Sequence, residues 1–250
     1  MAALHHTVTG DGATTVVLTH GLAAGEAIWA RQVAALAPRY RVITWDLRGH
    51  GRSAPDPGPC TIADLAADLG RVLDASDTPR AVVLGHSAGG VVAMRFAIDH
   101  PQRCAGLVLV GTASECNPRA RQFYEDLAAI AEERGMEPVY RRLGVGSEAA
   151  RQSPTHPASF ARVARAMASL NAEPLTPQVA AIRCPAQMIV GEKDFLGAGG
   201  SVILHRQIAG SRLAIVPERG HGIFAEDPDG FNALLLDFLA SAEATSPVRA

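Results

Sequence analysis

The 250-residue chain has no long apolar run, a single lysine, four scattered cysteines and almost no net charge. Each shortage removes a class of function. Its apolar stretches, such as Ala81-Val82-Val83-Leu84, fall far short of the ~20 residues that span a bilayer. A formal net charge of -2 gives no electrostatic footprint for nucleic acid or an anionic membrane surface. Cys60, Cys104, Cys116 and Cys184 form no C-x-x-C pair, which argues against a zinc site or a disulfide framework and fits a reducing compartment. Cys104 and Cys184 open apolar runs and read as small core residues. His5, His6 and Asp11 stand where a secretory signal needs an apolar stretch, so a cytoplasmic location is expected. The lone Lys193 among many arginines reads as genomic base composition, with its side chain facing solvent.

What is present is enough apolar material for one sizeable core, at 48% of residues. Short β-branched runs alternate with helical patterns, the signature of a parallel sheet covered by helices. Strands are expected at Thr15-Val16-Val17-Leu18-Thr19, Arg41-Val42-Ile43-Thr44-Trp45, residues 80–84, Leu107-Val108-Leu109-Val110, Gln187-Met188-Ile189-Val190 and Leu213-Ala214-Ile215-Val216. Helices are expected over residues 26–37, from the capping box Thr61-x-x-Asp64 onward, over 88–100 and over 230–242. One stretch breaks the alternation. Residues 115–183 carry no strand signal but show helical spacing at Phe123, Leu127, Ile130 and at Phe160, Val163, Met167, Leu170. So long a segment is not a structureless connection. It reads as a small helical cap (115–183) inserted into a core made of 1–114 and 184–250.

Gly85-His86-Ser87-Ala88-Gly89 lies between an expected strand and an expected helix. The bare G-x-S-x-G pattern arises by chance often enough to mean little, but this setting gives it chemistry. A serine hydroxyl becomes a useful nucleophile only when held exposed beside a base and near amide donors. A sharp strand-to-helix turn lined by small residues does that, and the helix start supplies oriented N–H groups. Asp194 and His221 each follow an expected strand end, where open α/β sheets gather ligands. The order Ser87, Asp194, His221 suits a triad in which His221 is the base and Asp194 fixes its tautomer. Glu192 and Glu115 also stand near strand ends as rival acids. Leu22, in Thr19-His20-Gly21-Leu22, and Ala88 offer backbone N–H groups for an oxyanion. His20, Gly21 and His86 then support that site from behind.

Asp46-Leu47-Arg48-Gly49-His50-Gly51-Arg52-Ser53 invites a phosphate reading. It lacks the Lys-Ser/Thr pair of a P-loop and the glycine spacing of a dinucleotide turn. A rigid turn tied by an Asp–Arg pair accounts for it better.

Taken together, His20-Gly21, Asp46-x-Arg48-Gly49-x-Gly51-x-Ser53, Gly85-His86-Ser87-Ala88-Gly89-Gly90, Gly191-x-x-Asp194 and Gly220-His221 resemble the α/β-hydrolase superfamily over about residues 16–239. The resemblance implies an α/β-hydrolase fold with a mostly parallel eight-stranded sheet flanked by helices, a site beneath the cap, and neither metal nor cofactor. The short cap is similar to the branch of 3-oxoadipate enol-lactonases, small carboxylesterases, cofactor-free perhydrolases and C–C bond hydrolases. Ser87 sets the chain apart from the dehalogenases and epoxide hydrolases, which use aspartate there. Gly222 stands where C–C hydrolases often have tryptophan. The expectation is hydrolysis of a small carboxylic ester or lactone through an acyl-serine. C–C hydrolysis and proline iminopeptidase-like amide cleavage remain open alternatives, as does a ligand receptor built on this fold. The expected partner is a small-molecule ester or lactone, with no nucleic acid or membrane and self-association left open. Arg119, Arg121, Arg141, Arg142, Arg162 and Arg165 make the cap basic, and one of them is a candidate to meet a substrate carboxylate.

Overall fold

Runs of valine, leucine and isoleucine with no polar alternation fit strands covered on both faces. The computed structural model describes residues 3–144 and 152–245, and each run expected as a strand falls in a strand of one sheet. The strands are β1 (His6–Thr9), β2 (Thr15–Thr19), β3 (Arg41–Trp45), β4 (Ala81–His86), β5 (Cys104–Val110), β6 (Ala186–Gly191) and β7 (Arg212–Val216). Their order is β1-β3-β2-β4-β5-β6-β7. All pairs are parallel except β1 with β3. Alternate residues along each strand feed opposite faces. Val17, Ile43, Val83 and Leu107 join one core cluster, while Val16, Val42, Val82 and Val108 join the other. Central β4 is buried along its whole length.

Helices close both faces. On one lie α2 (Ile62–Ala75) and α3 (Ala88–Asp99), whose apolar residues share the first cluster. On the other, Trp29, Leu36, Phe231 and Phe238 from α1 (Ala30–Leu36), the turn before it and the C-terminal helix share the second. Helix α2 begins at a complete capping box: Thr61 accepts from the Asp64 N–H while the Asp64 carboxylate accepts from the Thr61 N–H. Between β5 and β6 come α4 (Pro118–Arg134), α5 (Met136–Leu143), α6 (Pro157–Ala168), a 3-10 turn at Ser169–Asn171 and α7 (Thr176–Val179). Leu127, Val139 and Phe160 from these helices pack with Ala23 in a third, smaller cluster. Residues 145–151 of the expected cap lie outside the described residues. The chain closes with α8 (Gly199–Gln207), α9 (Ile223–Glu226) and α10 (Pro228–Thr245).

Three expectations need correction. The sheet has seven strands among the described residues, not eight. Only β1 lies on the antiparallel edge, because residues 3–5 bond instead to the loop after β3: Ala54 N–H to Ala3 O, Asp46 N–H to His5 O, and His5 N–H to Ser53 Oγ. The helix expected over 26–37 is split into a 3-10 turn (Glu26–Trp29) and α1. Finally, Asp46 does not pair with an arginine side chain in its own turn. Its carboxylate accepts from the backbone N–H groups of Glu26 (2.7 Å) and Arg52 (2.9 Å). Arg48 instead reaches into α2 and forks onto Asp68 at 2.6 and 2.7 Å, both side chains buried. Side-chain reach across elements, not local spacing, chooses that partner.

Removing one member of a buried, bidentate pair strands the other charge. Asp68→Ala is therefore expected to cost about 3 kcal/mol of unfolding free energy. Urea denaturation at neutral pH measures it, and a loss under 1 kcal/mol would show the pair to be solvated.

Candidate active site

The site forms where β4 stops and α3 starts. Ser87 sits between them at φ 54°, ψ -119°, a backbone region that side chains other than glycine rarely adopt. Its surroundings enforce the turn. Its N–H donates to Val110 O at 2.9 Å, and its carbonyl accepts from Gly90 N–H and from Thr112 Oγ1 (2.8 Å). The tightness explains the glycine two residues later. A Cβ on Gly89 would lie 2.4 and 2.5 Å from the carbonyl oxygens of Thr19 and His20. Helix α3 therefore begins hard against the end of β2.

Asp194, buried in the turn after β6, lies beside His221 in the loop after β7. His221 Nδ1 is 3.0 and 2.9 Å from the two Asp194 carboxylate oxygens. Asp194 Oδ1 also accepts the Leu196 N–H at 2.8 Å. Nδ1 thus carries the proton, which leaves Nε2 as the ring's free lone pair. The rival carboxylates lie elsewhere. Glu192 accepts from the Glu218 N–H, and Glu115 accepts from Thr176 Oγ1. Lys193 is exposed and pairs with Glu218.

The supporting histidines are all buried. His20 Nε2 accepts from the Leu47 N–H (3.0 Å), so its Nδ1 holds the proton and donates to Gly21 O (2.7 Å). This ties the Gly21–Leu22 loop to the turn after β3. His86 Nε2 donates to His221 O at 3.0 Å, setting the loop that carries His221. The Leu22 N–H has no acceptor among the described residues. Ala88, as the first residue of α3, has no intrahelical acceptor for its N–H either. Burial, above all, pushes the pKa of His20 down to about 4 and that of His50 to about 3, and holds His86 well below its ordinary value.

Three contributors escaped the sequence reading. Gly111 (φ 52°) follows β5 directly under Asp194 and His221, where a Cβ would come 2.8 Å from Asp194 Oδ2 and 3.1 Å from His221 Nδ1. Its only signal was a glycine closing a strand. Glu226 of α9 accepts from the N–H groups of both Gly220 (2.7 Å) and Gly222 (3.2 Å), bracketing His221. Tyr124 of α4 joins Ser87 in the wall of the site. Neither of these two carried a recognisable local pattern.

A cavity of about 470 Å³ joins Gly21, Leu22, Ser87, His221, Phe195 and Phe224. The Phe195 ring, itself 59% exposed, stands 4.5 Å from the His221 ring at the mouth. Ser87 also borders a second cavity of about 310 Å³. Among the described residues, no arginine lines either one. Instead Arg165 forks onto Glu132 and Arg142 meets Asp126, at exposed positions. Among the described residues no cluster of three His, Cys, Asp or Glu side chains is arranged to hold a metal ion. No described helix is long and apolar enough to cross a membrane.

Known proteins share this architecture. The family model described as alpha/beta hydrolase fold matches residues 14–130. A putative carbamate hydrolase RutD of Caulobacter sp. (strain K31) is 30% identical over 261 aligned residues, covering 96% of this chain and 97% of the relative. The enol-lactonase of Burkholderia xenovorans LB400 superposes with TM-score 0.85 at 28% identity, covering 96% of this chain and 97% of that one. A thermophilic esterase of Thermogutta terrifontis gives TM-score 0.87 at 27% identity, with coverage of 96% and 94%. The chain belongs to the α/β-hydrolase superfamily. It is a hydrolase of that family.

Two outcomes follow from this geometry. His20, His50 and His86 stay neutral in the folded chain, whereas unfolded histidine titrates near pH 6.5. Below that pH the unfolded state binds more protons, so stability present at neutral pH is lost as pH falls from about 6.5 toward 4. Each histidine contributes up to about 1.4 kcal/mol per pH unit. Urea midpoints at pH 7.5 and 5.0 test it, and equal midpoints would contradict the buried neutral state. Separately, Gly111→Ala should displace the Asp194–His221 pair and lower kcat about a hundredfold. Its stability loss should stay near 1–2 kcal/mol, as thermal melts compared with turnover would show.

Proposed function

We propose that the chain hydrolyses a small carboxylic ester or lactone through an acyl group carried on Ser87. The observation that supports this most is a set of three facts about one cavity wall. Ser87 is held at positive φ between strand and helix, it shares the larger cavity with His221, and His221 Nδ1 is engaged by buried Asp194. His221 Nε2 takes the Ser87 proton as Oγ attacks the carbonyl carbon. The N–H groups of Leu22 and Ala88 receive the oxyanion, each typically worth a factor of 10² to 10³ in kcat. Collapse breaks the bond to the leaving oxygen, which takes the proton from His221. Water then attacks the acyl carbon, gives its proton to His221, and the acid departs as Ser87 is reprotonated. Ester plus water become acid plus alcohol; a lactone keeps both in one molecule.

Residues 115–183 serve as the cap over this site, with Phe123, Tyr124 and Leu143 contributed to its wall. Residues 1–114 and 184–250 supply the reacting groups. His20, Gly21 and His86 act at one remove, by holding the Leu22 amide and the His221 loop. The neighbour named enol-lactonase and the one named esterase favour ester or lactone chemistry. The name of the curated relatives favours a carbamate as the second reading. Its carbonyl lies open to the same attack.

A fluorophosphonate probe with a panel of p-nitrophenyl esters, lactones and carbamates tests the reading. The expected result is one label per chain at Ser87 and multiple turnover of at least one substrate. Ser87→Ala should lose the label and at least a thousandfold of kcat. Equal activity of wild type and Ser87→Ala would remove the mechanism, and a single slow turnover would favour a ligand receptor.

A further inference from the structure

Ser87 opens on two cavities, and they differ in what they touch. The larger one, about 470 Å³, includes His221. The smaller one, about 310 Å³, does not; it runs past Ala88, Thr112, Glu115 and Leu170 beneath the loop from β5 to α4. On the reading of Ser87 and His221 given above, the leaving oxygen must lie within proton-transfer reach of His221. That puts the departing alcohol in the larger cavity, whose walls include Ile28, Phe123, Phe195 and Phe224. The acyl group is then directed the other way, into the smaller cavity, which lies at the small end of ligand sites.

The polar groups of the smaller cavity are largely committed to the protein itself. Thr112 Oγ1 donates to Ser87 O, and Ser114 Oγ pairs with Thr176 Oγ1 at 2.7 Å. Glu115 accepts from Thr176 Oγ1, and Asn117 Oδ1 accepts from the Ala120 N–H as the cap of α4. Tyr124 differs. It lines both cavities together with Ser87 and Leu196, and its hydroxyl makes no hydrogen bond among the described residues. Its ring is held edge-on against Phe123, 5.9 Å between centroids. Burial pushes the phenol up to about 12, so at neutral pH it is a fixed donor. A half-buried donor with no protein acceptor, beside the proposed nucleophile, is an unfilled place for a substrate oxygen.

We propose that the smaller cavity is the acyl site and that Tyr124 selects short acyl groups bearing a hydroxyl or keto oxygen, by donating a hydrogen bond to that oxygen. The substrate class is then a short oxygen-substituted carboxylic ester with an apolar alcohol. On this assignment Tyr124 meets the acyl group and not the reacting carbonyl, so its effect is read in the preference between acyl groups.

Two esters with one leaving group test this: p-nitrophenyl butanoate and p-nitrophenyl 3-hydroxybutanoate. Wild type is expected to favour the hydroxy ester by about tenfold in kcat/KM, the ratio one neutral hydrogen bond supplies. Tyr124→Phe keeps the ring against Phe123 and removes only the hydroxyl. It should bring the two esters level by lowering kcat/KM for the hydroxy ester about tenfold relative to the butanoate, while Ser87 still takes the fluorophosphonate label. Equal or reversed preference in wild type, or a preference that survives Tyr124→Phe, overturns the Tyr124 assignment while leaving the Ser87 reading standing. Absence of Ser87 labelling in wild type brings both down.

Discussion

The backbone at Ser87 is the constraint on which the rest of the site depends. A non-glycine residue at φ 54° stores roughly 1–3 kcal/mol of strain and persists only where neighbours over-determine it. Here they do. β5 supplies the acceptor for the Ser87 N–H, Thr112 donates to its carbonyl, and Gly89 lets α3 press onto the end of β2. The same close approach brings the first amide of α3 beside the Gly21–Leu22 loop. Strand pairing thereby fixes both proposed oxyanion donors without help from a flexible side chain.

The proposed acid–base pair is held by a comparable crowding from the other side. Asp194 and His221 descend from β6 and β7, and Gly111 at the end of β5 leaves them room by lacking a side chain. Around the pair, loops are fastened by polar groups that stay uncharged or locally satisfied. His86 holds the His221 carbonyl, Glu226 holds the flanking glycine amides, and His20 bridges two loops as a neutral imidazole. Neutrality matters here. A charged imidazole buried beside this site would carry a desolvation cost and add positive charge close to His221.

Much of this was legible in the sequence, and physical reasons separate what was from what was not. Six of the seven strands showed themselves as short apolar runs. For the central ones the reason is that strands buried on both faces need no polar alternation, whereas the edge strand β7 is apolar though its residues are exposed or half-buried. β1 did not show itself, since His6–Thr9 is short and mostly exposed, and the eighth strand implied by family resemblance is absent among the described residues. Ser87, Asp194 and His221 could be picked out as candidates because strand ends can be located from local pattern. The partner of Arg48 could not, because Asp68 lies 20 residues away on a helix whose packing direction no local pattern reveals. Gly111, Glu226 and Tyr124 were missed for the same reason. Their importance comes from what the fold sets opposite them, and beyond a glycine closing a strand at Gly111 nothing in their own neighbourhoods marks it.

The central claim is that an acyl group passes through Ser87. Mixing the protein with excess p-nitrophenyl butanoate, quenching with acid during turnover and mapping the peptides by mass spectrometry tests that most directly. The account predicts a butanoyl group on the peptide holding Ser87, accompanied by a p-nitrophenol burst of up to one per chain, both lost in Ser87→Ala. A butanoyl group mapped to another residue, or undiminished turnover in Ser87→Ala, would contradict it.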